Sequence, residues 1–199
     1  MEIEVLDREI RLDRVTSVLD DFVLDFLELL KKQSIRYVII SGYVVLLFGR
    51  ARITEDVDIF LEELDENKLK KLYDSLQKDY WLINAGSFDT AKALYDNGDA
   101  WRVSKKNQLF PNMEIKKPKT EFDFVSLNNP TKVILNKKYE INISPMELQI
   151  AYKLFLGSQK DLEDARYLYD IFKDKLDKIQ LEYFVNKLNV TKKSKELVR

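Results

Sequence analysis

Asp56 and Asp58 stand two residues apart in Glu55-Asp56-Val57-Asp58-Ile59-Phe60, an acidic pair running into apolar residues. On a β-strand, side chains at i and i+2 share a face, so both carboxylates project the same way. Such a pair suits a hard divalent cation, which takes oxygen ligands and is commonly held by one or two carboxylates together with substrate phosphates. Two such ions about 3.5 to 4 Å apart can clamp an in-line phosphoryl displacement. Upstream, Val38-Ile39-Ile40 has the pattern of a buried strand, Ser41-Gly42 of a tight turn, and Tyr43 to Phe48 of a short helix. The free N–H groups at a helix start can hold an anion, and Gly42 lets backbone approach closely. Arg50 and Arg52 lie between this turn and the acids. By itself, an Asp-x-Asp in a charged protein is more often a solvated strand edge. The strand, turn and helix around it are what favour chemistry.

The chain has 199 residues with no cysteine and no histidine, and a formal net charge of -1. Thiol nucleophiles, disulfides, zinc sites built on Cys or His, and histidine general bases are therefore excluded. Any reaction has to use carboxylates, Lys, Arg, hydroxyls or a bound ion, which favours metal-dependent phosphoryl chemistry. The charge balance argues against a general nucleic-acid binder, so RNA contact would need a local basic patch. Lys105, Lys106, Lys116, Lys117 and Lys119 are the one such cluster, and a solvated lysine-rich loop is the plainer account of it. No apolar run reaches the length of a membrane span and Met1-Glu2-Ile3-Glu4 lacks the pattern of a signal peptide, so the cytoplasm is the expected location.

The elements that must position these residues follow from periodicity. Apolar residues spaced three and four apart predict a helix from Val15 to Leu30, with Asp20, Asp21 and Glu28 on its wet side. After the acidic strand, Asp65 opens a second helix; Trp81 to Ile83 and Trp101 to Val103 have strand character, and Asp89 to Tyr95 forms a short helix closed by Asn97-Gly98. In Met113 to Leu127, Glu114 and Asp123 each sit in an apolar-acid-apolar alternation expected of a half-buried strand, and periodicity does not choose between them. A hairpin follows across Asn136-Lys137-Lys138, then Ser144-Pro145-Met146-Glu147 carries the signature of a capped helix start. Lys153 falls among Ile150, Ala151, Leu154 and Phe155, where either a facing phosphate or a path to solvent would account for it. Gly157-Ser158 breaks the helix, Lys160, Asp161 and Asp164 open the next, and Thr191 to Arg199 is expected to fray.

The strand, the small-Gly pair, the short helix and Arg-x-Thr-x-Asp-x-Asp together resemble the nucleotidyltransferase fold of the DNA polymerase beta superfamily. Within it the chain is similar to the minimal nucleotidyltransferases, including toxins of type IV toxin-antitoxin (abortive-infection) systems. The resemblance extends to Glu147 to Phe172, where Lys153 matches a family lysine, Lys160 a basic position, and Asp161 and Asp164 the acids. Ser41 stands where many members have a first Gly. The implied fold is mixed α/β: residues 1–143 as the nucleotidyltransferase core with an N-terminal helix, and 144–199 as a helical region packed on it.

The implied reaction transfers a nucleoside monophosphate from an NTP to a hydroxyl of an RNA end, a protein or a small molecule. Mg²⁺ or Mn²⁺ would be held by Asp56, Asp58 and, on the resemblance, Asp123 as third carboxylate. Asp56, Asp58, Asp123 and Lys153 are the expected catalytic set, and Ser41, Gly42, Arg52, Lys160 and Asp161 the nucleotide-binding one. A cognate antitoxin is a possible partner under this reading. The competing reading is a non-catalytic nucleotide-binding or antitoxin-like module on the same fold.

Overall fold

The computed structural model describes residues 2–6 and 8–197. A hairpin of β1 (Glu2–Leu6) and β2 (Glu9–Asp13) opens the chain, with Ile10 and Leu12 facing the core. Helix α1 (Val18–Lys32) starts later than its apolar pattern suggests. Ser17 and Asp20 form a reciprocal capping box that sets the first turn, while Val15 and Val18 are 91% and 81% exposed.

Asp20 is not on the wet side. It is 1% exposed, and its carboxylate accepts from the Arg14 guanidinium at 2.7 and 2.8 Å and from the Tyr43 hydroxyl at 2.7 Å. Burial would raise its pKa, but Arg14, Tyr43 and Ser17 outweigh burial and hold it at about 2, against 3.8 for an ordinary Asp. A depressed folded-state pKa contributes stability that is present above pH 3.8 and is lost as pH falls through about 2. That contribution is about 2 kcal/mol. Thermal midpoints of the native chain and Asp20→Asn should therefore differ most near neutral pH and converge on acidification through this window. A gap unchanged at low pH would contradict the assignment.

The middle of the chain follows as β3 (Tyr37–Ile40), α2 (Gly42–Leu47), β4 (Asp56–Leu61), α3 (Glu66–Leu76), β5 (Tyr80–Leu82), α4 (Phe88–Asn97), β6 (Trp101–Lys105) and β7 (Asn112–Lys116). The next element corrects the sequence reading. Glu121–Asn128 is a helix, α5, and Asp123 is its N3 residue rather than a strand acid. Local chemistry decides it: the Thr120 hydroxyl accepts from the Asp123 N–H, and the Asp123 carboxylate accepts from the Lys119 and Thr120 N–H groups at 2.9 Å. A hairpin of β8 (Thr131–Leu135) and β9 (Tyr139–Ile143) follows, then α6 (Met146–Leu156), α7 (Gln159–Phe172), α8 (Lys178–Lys187) and α9 (Thr191–Leu197).

Two further expectations change here. Pro145, not Ser144, is the N-cap of α6, and the Ser144 hydroxyl instead bonds that of Ser126 at 3.0 Å. The tail through Leu197 is helical, with Leu197 buried; residues 198 and 199 lie outside the described part.

Among the described residues, nine strands form one mixed sheet in the order β1-β2-β8-β9-β3-β4-β7-β6-β5. β4 runs antiparallel to β3 and parallel to β7, so Asp58 lies in register with Ile40 on one side and Glu114 on the other. Strand alternation then divides the sheet centre by chemistry. Ile39, Val57, Ile59, Leu61, Met113 and Ile115 enter the main core, which α1, α3 and α4 cover. Asp56, Asp58, Phe60, Glu114 and Lys116 alternate with them and occupy the opposite face, where Leu127 of α5 packs on Val38 and Phe60. Among the described residues, no helix is long and apolar enough to cross a membrane.

Candidate functional site

A cleft of about 320 Å³ opens where α5 and α6 meet that second face. Asp58, Lys116, Asp123, Ser41 and Lys153 supply its polar lining, and Phe60, Phe122, Leu148, Tyr152 and Leu156 its apolar part. At one end stands the turn before α2. Ser41 adopts φ 63°, ψ -127°, a conformation that favours glycine, and its carbonyl accepts from the Gln149 side chain at 2.9 Å. Gly42 answers a different need: a Cβ there would lie 3.2 Å from the Arg52 guanidinium and 3.3 Å from the Thr54 hydroxyl. Arg52 is thus drawn across the start of α2, and its buried Nε has no hydrogen-bond partner among the described residues.

Beside this turn lies the row of acids. Asp56 and Asp58 share the face of β4 that opens to the cleft, and Glu114 of β7 joins them in register with Asp58. Of the two acids considered from the sequence, Glu114 is the one on a strand beside β4. Asp123 lines the same cleft from α5, with one carboxylate oxygen engaged at its own helix start.

Three basic or amide side chains interleave with the row. The Lys116 ammonium meets Asp58 and lies 3.1 Å from Glu114. Burial works against its charge, yet Asp58 and Glu114 raise its pKa above the ordinary lysine value. Arg102 of β6, opposite Glu114, lies 3.6 Å from Glu114 and 3.7 Å from Asp56. The fully buried Asn112 amide donates to Asp56 at 2.5 Å. None of the three was singled out as a site residue by periodicity. The signal was present in Asn112-Met113-Glu114-Ile115-Lys116, whose alternation matches Asp56 to Phe60 once the two strands are paired.

In kind, the donors fit a hard divalent cation, being carboxylate oxygens grouped on one face. In arrangement, however, no three acids among the described residues converge on a common point as a metal-ligand group. Lys116 stands between two of them.

The second group of predicted residues gathers around Asp164, which is fully buried in α7. Arg50, Arg52 and Lys153 all reach its carboxylate, Lys153 at 2.8 Å. Lys153 is 3% exposed and also contacts Asp161 at 3.0 Å, so it does not extend to solvent. Burial raises the Asp161 pKa, but the Ser158 hydroxyl and the Lys153 ammonium outweigh burial and lower it. Lys160 stands apart: its side chain is exposed, and only its carbonyl meets Arg50, at 3.4 Å. This cluster ties the Arg50 to Thr54 loop, and through Arg52 the Ser41-Gly42 turn, to the C-terminal helices. The lysine-rich segment is largely spoken for: Lys105 pairs with Asp25, Lys117 with Glu63, and Lys116 with the acidic row.

This architecture is the nucleotidyltransferase fold. The chain is similar in structure to an antigenic nucleotidyltransferase-like protein from Paracoccidioides brasiliensis, with a TM-score of 0.52 and 17% identity over 88% of this chain and 90% of that one. It is also similar to ANT(2")-Ia solved in complex with adenylyl-2"-tobramycin, with a TM-score of 0.50 and 9% identity over 86% of this chain and 99% of that one. No family model matches the chain, and no curated protein sequence does.

Proposed function

We propose that this protein is a metal-dependent nucleotidyltransferase that moves a nucleoside monophosphate from an NTP to a hydroxyl acceptor. The observation that carries the reading is the register of β4 and β7, which sets Asp56, Asp58 and Glu114 on one face beside the Ser41-Gly42 turn. The turn and the Arg52 guanidinium would hold the triphosphate, and the apolar part of the cleft around Phe60 and Phe122 would take the base. Asp56, Asp58 and Glu114 would hold Mg²⁺ or Mn²⁺. Such an ion, when bound, neutralises phosphate charge and eases deprotonation of the acceptor hydroxyl.

The acceptor oxygen attacks the α-phosphorus, and pyrophosphate leaves. With no histidine in the chain, a carboxylate of the acidic row would receive the acceptor's proton, and Glu114 stands there in register with Asp58. Lys153 would act at one remove, since Asp161 and Asp164 already hold its ammonium. An RNA end, a protein or a small molecule could be the acceptor, and a type IV toxin with a cognate antitoxin is the narrower form of the proposal. Residues 1–143 would form the catalytic core and 144–199 its helical cover.

One observation favours a second reading, a nucleotide-binding or interaction module without catalysis. Lys116 and Arg102 already neutralise the acids, which do not converge on one point. The test is incubation of the purified protein with each α-labelled NTP, Mg²⁺ or Mn²⁺, and pooled RNA, protein and small-molecule acceptors, beside Asp56→Ala/Asp58→Ala. Label transferred by the native chain and absent with the variant is the expected result. NTP binding without transfer would establish the second reading.

A further inference from the structure

Resting on the catalytic reading above, we propose that Lys116 is an internal counter-ion that holds the acidic row until a nucleotide arrives, so that divalent cation and triphosphate must bind together. Asp58 and Glu114 stand in register on adjacent parallel strands. Like charges directly across a strand pair destabilise it, so the face needs a cation whether or not a metal is present. Lys116 supplies one from its own strand. It lies two residues beyond Glu114, hence on the same face, and its ammonium touches Asp58 and lies 3.1 Å from Glu114.

Lys116 also lines the cleft. A flexible four-carbon stem bearing a point charge can turn from carboxylates to phosphate oxygens without moving the backbone. A divalent ion coordinated by Asp58 and Glu114 would sit against the ammonium, and like charges at that range repel strongly. The triphosphate therefore has two effects: it adds ligands for the ion and draws Lys116 off the acids. Coupling of this kind is reciprocal, so the ion raises nucleotide affinity by the same factor. The acids would accordingly remain closed to stray divalent ions while no substrate is bound.

The experiment is Mn²⁺ binding, read from the electron paramagnetic resonance signal of the free ion. The native chain, Lys116→Met, Lys116→Arg and Asp58→Asn are titrated with and without a non-hydrolysable NTP analogue. Thermal midpoints confirm that each variant is folded. Without nucleotide, Lys116→Met is expected to bind Mn²⁺ about tenfold more tightly than the native chain, within the usual range of coupling between sites. The analogue should improve Mn²⁺ binding by a larger factor in the native chain than in Lys116→Met. Lys116→Arg should behave as native, because it keeps the charge.

Two results would overturn the proposal, and they differ in what else they remove. Equal Mn²⁺ affinity in the native chain and Lys116→Met, with binding lost in Asp58→Asn, would remove the counter-ion role and leave the metal site standing. No Mn²⁺ binding in any form would remove both.

Discussion

Glu114→Gln should abolish nucleotide transfer as completely as Asp58→Asn, whereas Asp123→Asn should leave most of the rate. The three changes conserve side-chain shape and remove one negative charge each, so differences between them report position. Glu114 stands in register with Asp58 and shares Lys116 with it. Losing an oxygen donor aimed at developing charge in such a site costs on the order of 100-fold or more in rate. Asp123 occupies the first turn of α5, where its carboxylate accepts the Lys119 and Thr120 N–H groups. Asn retains one acceptor oxygen there and is itself a good capping residue, so the helix start should lose no more than about 1 kcal/mol. Single-turnover transfer rates with labelled NTP, measured for the three variants at matched folding, make the comparison. An inactive Asp123→Asn beside an active Glu114→Gln would reverse the assignment.

Asp164→Ala should destabilise the fold more than any other single change at these charged groups. The Asp164 carboxylate is fully buried and meets Arg50, Arg52 and Lys153, and those side chains are 17%, 10% and 3% exposed. Removing the acid leaves three cations with, among the described residues, only Asp161 and the exposed Glu163 paired to them. Breaking a buried pair from one side typically costs about 3–5 kcal/mol. In a chain of this size that lowers the thermal midpoint by roughly 10 °C. Glu163→Ala is the control, since that side chain is half exposed and a solvated ion pair such as its bond to Arg50 contributes little. Circular dichroism melts of the two variants should separate widely, and equal midpoints would show that the cluster is not what fastens the loop. The same melt bears on function, because Arg52 runs from Asp164 to the turn at Gly42.

Much of this site was legible in the residues alone. Asp56-Val57-Asp58 shares a strand face by simple alternation, and Ser41-Gly42 follows an apolar strand at the spacing a turn into a short helix requires. Gly157-Ser158 marked the break between α6 and α7, where Gly157 takes φ 69° and Ser158 caps the next helix. These features are local. They depend on pleat, capping and the freedom of glycine, all of which act within a few residues.

Asp123 shows where local patterning misleads. Phe122-Asp123-Phe124 alternates as a strand would, yet the hydroxyl of Thr120 and the carboxylate of Asp123 close a capping box, which outweighs a three-residue alternation. Asp20 and Lys153 show another limit. Charge alone suggested a wet face for the one and a phosphate or solvent for the other. Both are buried because partners outside their own elements, Arg14 and Tyr43 for Asp20 and the Asp161–Asp164 pair for Lys153, come to them only when the chain folds.

The composition and the local motifs of this protein determined that any chemistry it performs must rest on carboxylates, hydroxyls and cations, and which strand carries the paired acids. Only the tertiary structure decided that Glu114 stands beside Asp58, that Lys116 lies between the two, and that Arg52 crosses the Ser41-Gly42 turn. Pairing register is a property of two strands, here separated by the whole of α3, β5, α4 and β6, and no single segment encodes it.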